Sequence, residues 1–330
     1  MKLNHCDSFV IYRKPYSKEI HIIVGNWTDL NNSQNTTGFM FNEFPSSNPI
    51  FLVGKKSLVQ RSIIVEYSKK EKSPLQFSKE KYITTAKNYI ELCRKSDLKK
   101  IILSRVISTK NNNANAFKLF EKLNSSYHHS FNYLLNHPTK GMWMGASPEE
   151  LISGNKKEKY STTALAGSKK WSSNVSWSIK EIEEQQYVKT YIEKKLNAHA
   201  KKIYCESDLI TVRAGNIAHL KSKFLFETSS PILELAKKLH PTPAISGYPT
   251  KKSIQLIEEN EPHKRSLYCG FLGELFDESV NLFVNLRCMK IDRENLHLFV
   301  GGGITDLSVP EDEWEETQIK SETLLSIIKK

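Results

Sequence analysis

Apolar and polar residues along the chain follow two periods, and the shorter one predicts many strands. The runs HIIVG, from His21, SIIVEY, from Ser62, and KKIILSRVIS, from Lys99, are rich in β-branched residues and are typical of strands. VNLFVNLRCMKI, from Val280, alternates well enough to predict one strand with a single buried face. LHLFVGGGI, from Leu296, predicts a strand that runs into three glycines.

The longer period, 3.6 residues, predicts six helices. Side chains that commonly cap helices precede four of them, and these helices are expected to begin at Ser78, Asn115, Ser230 (with Pro231 in the first turn) and Thr250. The other two are a highly charged helix from about Ser178 to Lys202 and a last helix from about Pro310 to Ile328. The mixture predicts an α+β fold with too many strands for a helical bundle.

Length and composition describe an ordinary globular chain. Its 330 residues suffice for one large domain or two smaller ones, and 39% of them are hydrophobic. No apolar window is long enough to span a bilayer, and the N-terminus lacks the apolar core of a signal peptide. The five cysteines include no CxxC pair. We therefore expect a protein of the reducing cytoplasm, with no membrane partner.

The net charge of +12 raises the possibility of a nucleic-acid partner. The lysines are spread along the chain, however, and no nucleic-acid motif accompanies them. A basic surface with a modest attraction for anionic small molecules is the simpler interpretation.

An acidic stretch near the C-terminus stands out against this basic background. Five carboxylates lie between Glu311 and Glu316, and helical spacing puts Glu313, Glu316 and Lys320 on one face. Two carboxylates one turn apart repel each other unless a cation lies between them, and oxygen ligands of this kind suit Mg²⁺. The alternative is a solvated first turn stabilised by the helix dipole. A second cluster, which contains Glu184, could complete a metal site if the two helices face each other.

Three more features could carry chemistry. The glycines Gly301–Gly303 allow backbone N–H groups to approach an anion, and Arg287 precedes them on a predicted strand, although a simple tight turn explains the glycines equally well. Lys100 begins a buried strand, where desolvation would favour the neutral amine that a base requires, although spacing alone favours an ordinary lysine at the end of a strand. Glu149 follows a glycine-containing turn and could cap a helix or act as a general acid.

Eight blocks, in their order along the chain, resemble the signature segments of the chorismate-utilising enzymes. They are KKIILSR, GMWMGASPEELI, STTALAGS, KEIEEQQYV, LHPTPAISGYP, RSLYCGFLGEL, NLFVNLRCMKI and LFVGGGITDLSVPEDEWEETQIK. The resemblance implies one chorismate-binding domain over residues 1–330, with a variable N-terminal part (1–98) and a core (99–330) that carries the motifs. It also implies a large antiparallel β-sandwich flanked by helices, Mg²⁺ as cofactor and chorismate as substrate.

The resemblance also implies roles for individual residues. The implied metal ligands are Glu184, Glu313 and Glu316. The implied base and acid are Lys100 and Glu149. The implied substrate-binding residues are Ala166, Gly167, His240, Ala244, Arg287, Gly302, Gly303 and Lys320.

Two positions favour isochorismate synthase among the members of this family. Lys100 matches the lysine that activates water, which members that use ammonia usually lack, and Ala244 stands where aminating and salicylate-forming members tend to have threonine. Gly302, Thr305, Ser168 and Gln185 depart mildly from the family's pattern. A monomer without a glutaminase subunit is implied, and menaquinone formation is preferred to a siderophore pathway. Salicylate synthase is the nearest alternative, and a basic Mg²⁺-dependent nucleic-acid-binding protein is a remote one.

Overall fold

A computed structural model describes residues 1–29, 37–46, 48–60, 62–67, 72–112, 115–206, 208–214, 217–276 and 279–329. Within these ranges the chain forms nineteen strands and six helices. The helices are α1 Lys79–Lys95, α2 Ala116–Ser126, α3 Ile179–His199, α4 Ile232–Leu239, α5 Thr250–Asn260 and α6 Pro310–Ile328. The strands are β1 Lys2–Leu3, β2 Phe9–Arg13, β3 His21–Asp29, β4 Gly38–Asn42, β5 Ile50–Leu58, β6 Ile64–Val65, β7 Lys100–Lys110, β8 Phe131–His137, β9 Gly141–Ser147, β10 Glu150–Asn155, β11 Lys159–Lys170, β12 Lys202–Glu206, β13 Ile210–Ala214, β14 Ile217–Glu227, β15 Gly247–Tyr248, β16 Phe271–Phe276, β17 Ser279–Val284, β18 Cys288–Ile291 and β19 Asn295–Ile304.

Seventeen of the described strands join into one antiparallel ribbon, while β1 and β6 form a separate parallel pair. From one edge, β12 and β13 both pair with β14, and the order continues β11, β10, β17, β16, β4, β5, β3, β2, β8, β9, β18, β19, β7 and β15. The ribbon curls back on itself, because residues of β7 and β19 line the same cavity as residues of β11. The N-terminal strands β2 to β5 connect the two halves.

Local sequence explains where several helices begin. The Ser78 hydroxyl accepts a hydrogen bond from Lys81 N at 3.2 Å, and Asn115 Oδ1 accepts one from Phe117 N at 3.0 Å, so both predicted caps are confirmed. The predicted bounds of the last helix are confirmed as well, with Pro310 in its first turn.

Two predicted caps are wrong by one residue. Pro231 and Pro249 occupy the N-cap positions of α4 and α5, and neither Ser230 nor Thr250 supplies a side-chain cap. The fixed φ of proline suits the extended residue that precedes a helix, so these prolines end the incoming segment themselves.

The prediction of one strand over VNLFVNLRCMKI is also wrong. The segment forms β17 and β18, separated at Arg287, whose φ of +49° lies in the left-handed region. Leu282, Phe283 and Val284 are all buried in succession, since both faces of β17 are covered. The SIIVEY run contributes only the two-residue strand β6.

Two hydrophobic clusters stabilise this arrangement. The larger one lies inside the curled ribbon and receives the buried faces of α1, α3, α4 and α5. The smaller one lies beneath α2 and the C-terminal half of α6. Removing this apolar surface from water stabilises the fold by roughly 25 cal/mol for each Å² buried. Among the described residues, no helix is both long enough and apolar enough to cross a membrane.

Candidate active site

A cavity lies where the glycine end of β19 and the start of β7 face β11. Its wall contains most of the residues that the resemblance singled out: Lys100, Glu149, Ala166, Gly167, Glu184, Ala244, Arg287, Gly302, Gly303, Glu316 and Lys320. Two others, His240 and Glu313, are buried just outside the wall. Residues from seven of the eight sequence blocks therefore converge on one place.

Lys100 is held at the first position of β7 and is only 2% exposed. Its backbone is fixed by β15 on one side, where it pairs with Tyr248, and its carbonyl accepts a hydrogen bond from Ser253 Oγ at 3.2 Å. The Lys100 Nζ atom lies 3.3 Å from Glu184 Oε1 on α3. The ammonium group is thus placed at the cavity with one carboxylate partner.

Gly303 is required for this close approach of strand, lysine and carboxylate. A Cβ atom at position 303 would lie 2.0 Å from Glu184 Oε1 and 3.0 Å from Lys100 Cε. No side chain fits there without displacing one of the two groups.

Glu149 lies between β9 and β10 and is 3% exposed. Its backbone carbonyl accepts a hydrogen bond from Val284 N at 3.0 Å, which ties the segment to β17. Burial raises the pKa of the Glu149 carboxyl to about 8, and the positive charges of Lys100 and Lys320 oppose that rise. At neutral pH this carboxyl therefore carries a proton that it can donate.

Three glutamates meet beside the glycine strand, and each is paired with a different lysine. Glu184 pairs with Lys100, as described, and Glu316 pairs with Lys320 at 2.5 Å. Glu313 pairs with Lys180 of α3 and also accepts a hydrogen bond from Ser308 Oγ at 2.7 Å. Burial raises the pKa of Glu313 above its usual range, and the charges of Glu316 and Glu184 add to the rise. The structure thus brings the two acidic helices, α3 and α6, together at this point.

The oxygen donors of this cluster fit a divalent cation. Glu313 Oε2 is buried and has no hydrogen-bond partner, which is costly for a carboxylate oxygen. A Cβ atom at Gly302 would meet Glu313 Oε2 at 3.3 Å and Glu316 Oε1 at 3.5 Å, so two carboxylates from successive turns of α6 face one small space. Within the described ranges, no three His, Cys, Asp or Glu side chains already surround a single point. The lysine partners hold the three carboxylates in separate ion pairs.

Arg287 and Lys320 add positive charge to the cavity wall. The left-handed backbone at Arg287 turns its side chain into the wall, where Nη1 donates to Thr323 Oγ1 at 3.1 Å. Lys320 Nζ donates to Gly301 O at 2.9 Å, beside the glycine backbone. Two cations next to exposed main-chain atoms form a suitable site for a carboxylate.

His219, on β14, supports Arg287 and was not identified from the sequence. Its Nδ1 atom lies 2.9 Å from the Gly167 carbonyl, which can only accept, so we assign the proton to Nδ1. Nε2 is then free to accept a hydrogen bond from Arg287 Nη2 at 3.2 Å. Burial, together with the charges of Arg287 and Lys320, lowers the pKa of His219 to about 3, so the ring stays neutral. A single histidine in a strand-like run gave no signal of this role.

Gly167 forms part of the wall because of an irregularity in β11. The pairing of β11 with β14 shifts between Ala166 and Ser168, and Gly167 has a φ of +66°. A Cβ atom there would lie 3.1 Å from Glu181 Cβ. The left-handed bulge brings the chain close to α3 and turns the Gly167 carbonyl towards His219.

His240 and Ala244 have different positions, although both come from one block. Ala244 lies in the cavity wall. His240 instead ends α4, with Nε2 at 2.8 Å from the Cys269 carbonyl and its ring against Phe271. Burial lowers the pKa of His240 to about 4, so it is neutral. The structure therefore places His240 behind the wall, next to the wall residue Cys269.

Sequence reasoning also missed the apolar part of the wall. Tyr268, Leu286, Phe299 and Ile102 complete the cavity, and Tyr268 stacks on Phe299. Their spacing is that of ordinary core residues, so nothing in the sequence distinguishes them. They provide a surface against which a flat ring can lie.

The site can be compared with known proteins. Residues 54–329 match the family described as chorismate binding enzyme, which is most of the chain. The chain belongs to the chorismate-binding enzyme family. The match begins well before Lys99, so more of the N-terminal part belongs to the family than the sequence blocks indicated.

Curated members of this family include two enzymes to which the chain is clearly similar. It is 31% identical to isochorismate synthase EntC of Escherichia coli over 242 residues, which cover 69% of this chain and 62% of that protein. It is 28% identical to the vibriobactin-specific isochorismate synthase of Vibrio cholerae over 76% of this chain and 67% of that protein. The similarity to EntC thus spans less than two thirds of the relative's length.

Solved structures of the family have the same fold. The menaquinone-specific isochorismate synthase MenF of Escherichia coli superimposes with a TM-score of 0.83 at 18% identity, covering 98% of this chain and 89% of that one. Anthranilate synthase component I of Streptococcus pneumoniae gives a TM-score of 0.69 at 16% identity over 98% of this chain and 91% of that one. The predicted fold class is confirmed.

Proposed function

We propose that the protein is an isochorismate synthase that converts chorismate to isochorismate in the presence of Mg²⁺. The observation that carries the proposal is that Lys100 and Glu149 line one cavity, where Glu149 holds a proton at neutral pH. Isochorismate formation requires this pair, because water attacks ring carbon C2 while the hydroxyl group leaves C4.

The two residues move protons in opposite directions. Lys100, as the neutral amine, takes a proton from the water as its oxygen bonds to C2. Glu149 gives its proton to the departing C4 oxygen, which leaves as water. One C–O bond forms and one breaks, and the ring double bonds shift between them. Release of the proton from Lys100 and its return to Glu149 complete the cycle.

The remaining residues hold the substrate. Arg287 and Lys320 supply positive charge for a carboxylate, and the Gly302–Gly303 backbone lets that group approach the strand. Ala166, Gly167 and Ala244 leave space beside the ring. Mg²⁺, held by Glu184 and Glu316 with Glu313 beside them, would orient the carboxylate and offset its charge.

Water rather than ammonia is the proposed nucleophile. Lys100 is present, and Ala244 leaves a small apolar position in the wall. Several relatives of this chain are named as isochorismate synthases, including EntC, the vibriobactin-specific enzyme and MenF of Bacillus subtilis. Salicylate synthase, which would also eliminate pyruvate, is the second candidate. We propose a monomer that needs no glutaminase subunit.

The relatives also bear on which pathway uses the product. The sequence favoured menaquinone, but the siderophore-type relatives align with more of this chain than MenF of Bacillus subtilis does, 69% and 76% against 36%. The proposal therefore shifts towards a siderophore pathway.

Product analysis tests the proposed activity. The protein is incubated with chorismate and Mg²⁺, with and without EDTA and ammonium, and the products are separated by chromatography. We expect isochorismate without pyruvate, and none in EDTA. Salicylate with pyruvate would replace the proposal by its alternative, an aminated product would assign the chain to the ammonia-using members, and no conversion would contradict it.

A further inference from the structure

Lys180 is a partly buried cation at the metal cluster, and the proposed mechanism does not use it. It lies in the first turn of α3, one turn before Glu184, and its ammonium group pairs with Glu313 of α6. A lysine side chain is normally charged at neutral pH, and the ion pair with a buried carboxylate holds this ammonium group at the cluster. The candidate metal ligand Glu313 is therefore the direct partner of Lys180.

The charges of the cluster balance without a metal ion. Glu184, Glu313 and Glu316 are each paired with one lysine, which are Lys100, Lys180 and Lys320 respectively. A divalent cation entering this set adds two positive charges beside the lysines, of which Lys100 acts as the neutral amine in the proposed mechanism. Like charges repel strongly in a poorly solvated site, so the cation and the Lys180 ammonium group compete for Glu313.

Of these three lysines, Lys180 lines a second groove whose wall includes neither Lys100 nor Lys320. This groove, here called the vestibule, opens at the N-terminal ends of α3 and α6, and its wall includes Trp177, Ile179, Lys180, Leu307 and Val309. Lys180 lines the vestibule and its side chain is 18% exposed, whereas Lys100 is 2% exposed and does not reach the groove. Lys320 is tied to Gly301 O on the glycine strand.

We propose that Lys180 is a placeholder for the metal ion, which Mg²⁺ displaces from Glu313 into the vestibule. This inference rests on the proposed metal site. In the metal-free protein the ammonium neutralises a buried carboxylate that would otherwise be uncompensated. In the metal-bound protein the cation takes over that carboxylate, including the unpartnered Glu313 Oε2. Glu313 thus has a counter-charge in both states.

Metal binding measured without substrate tests the exchange. Calorimetric titration of the whole chain with Mg²⁺ should show tighter binding to Lys180→Met than to the wild type, by about tenfold, because the ion no longer displaces a charge. Lys180→Arg keeps the charge and should bind Mg²⁺ no more tightly than the wild type does. Lys169→Met removes a charge from the same vestibule, where Lys169 pairs with Glu181 rather than with the cluster, and should change the affinity much less.

A second measurement needs no substitution, and so it holds even if Lys180→Met folds poorly. An amine-reactive reagent is applied to the wild type with and without Mg²⁺, and labelled lysines are located by mass spectrometry. Mg²⁺ should increase labelling of Lys180 severalfold and leave Lys169 unchanged. Unchanged or reduced labelling of Lys180, or weaker Mg²⁺ binding by Lys180→Met, would overturn the inference. If Mg²⁺ binds to none of the proteins, both the proposed metal site and the placeholder role of Lys180 are wrong. If Mg²⁺ binds equally well whether or not Lys180 is replaced, only the placeholder role is wrong.

Discussion

Glu149 is buried and forms no ion pair with the residues that the structure describes, and such a carboxyl group lowers stability unless it stays protonated. The rise of its pKa to about 8 follows from burial, and the cations Lys100 and Lys320 reduce the rise without cancelling it. The fold keeps an acid in its protonated form at neutral pH, which is the form that the proposed reaction needs.

Replacing Glu149 should slow turnover strongly and remove the fall of kcat at high pH. Wild-type kcat should fall as pH rises through about 8, because Glu149 then loses the proton that it donates. Glu149→Gln should lower kcat by roughly 10²–10⁴-fold, the usual contribution of a general acid. Steady-state rates between pH 6 and 9 measure both effects, and a Gln variant with near-normal turnover would remove Glu149 from the mechanism.

Glu149→Gln should also raise the free energy of unfolding, and the gain over the wild type should grow as pH rises. The folded pKa of about 8 lies above the unfolded value of 4.5, so the stabilising effect of the bound proton is complete below pH 4.5 and is lost as pH rises to about 8. The glutamine variant has no such loss. Its Tm relative to the wild type should therefore be higher at pH 8 than at pH 5, and a constant difference would show that Glu149 is not buried as described.

Lys100→Ala should abolish isochorismate formation while chorismate still binds. The substitution removes the base, but Arg287 and Lys320 remain to hold the substrate. Product formation and calorimetric binding of chorismate with Mg²⁺ separate the two effects. Lys99→Ala is the matched control, because Lys99 is the exposed neighbour on the same chain segment and should behave as the wild type. Full turnover of Lys100→Ala would end the assignment of the base.

At the scale of elements, β19 and α6 fit together through glycine. The strand passes close enough to α3 and α6 that Glu184, Glu313 and Glu316 all lie within contact distance of positions 302 and 303. The two neighbouring glycines nevertheless differ in how much space they leave for a side chain, so substituting each of them in turn tests the packing.

Gly303→Ala should inactivate the enzyme, whereas Gly302→Ala should not. A methyl group at 303 would lie 2.0 Å from Glu184 Oε1, and the resulting shift of Glu184 or Lys100 should cost about 100-fold in kcat/KM, the scale of a 1 Å misplacement in an active site. At 302 the nearest atom would be 3.3 Å away, which a small adjustment relieves. Circular dichroism confirms folding of both variants, and equal activities would contradict the packing described for β19.

Much of the secondary structure could be predicted from the sequence. The last helix and the caps at Ser78 and Asn115 follow from periodicity and cap chemistry, which are local. The break at Arg287 could not be found, because the run around it alternates as a strand does and only the packing of β17 and β18 imposes the left-handed backbone. The roles of His219 and Tyr268 in the site could not be predicted for a related reason, since they depend on partners far away in sequence.

At the scale of the whole molecule, one curled antiparallel ribbon brings its distant regions to the same cavity. The resemblance supplied this topology, because strand order in such a sheet depends on long-range pairs that periodicity does not encode. The net charge of +12 now has a simpler explanation than a nucleic-acid partner, since the proposed substrate is an anion and the cavity contains Lys100, Arg287 and Lys320.

The overall charge should affect the capture of substrate more than its conversion. A positive protein attracts an anionic substrate over roughly the Debye length, which shrinks from about 30 Å at 0.01 M to about 8 Å at 0.15 M salt. We therefore expect kcat/KM for chorismate to fall severalfold over this range while kcat changes little. Steady-state kinetics in increasing KCl provide the measurement, and kcat/KM that is independent of salt would show that the charge does not steer the substrate.

The central claim is that water from the solvent, activated by Lys100, attacks ring carbon C2 of chorismate. Turnover in ¹⁸O-labelled water, followed by mass spectrometry of the separated product, tests it most directly. The account predicts isochorismate with one solvent oxygen, located in the C2 hydroxyl group, and no labelled product from Lys100→Ala. Isochorismate that retains only the original oxygen of chorismate, or labelled product at an undiminished rate from Lys100→Ala, would contradict it.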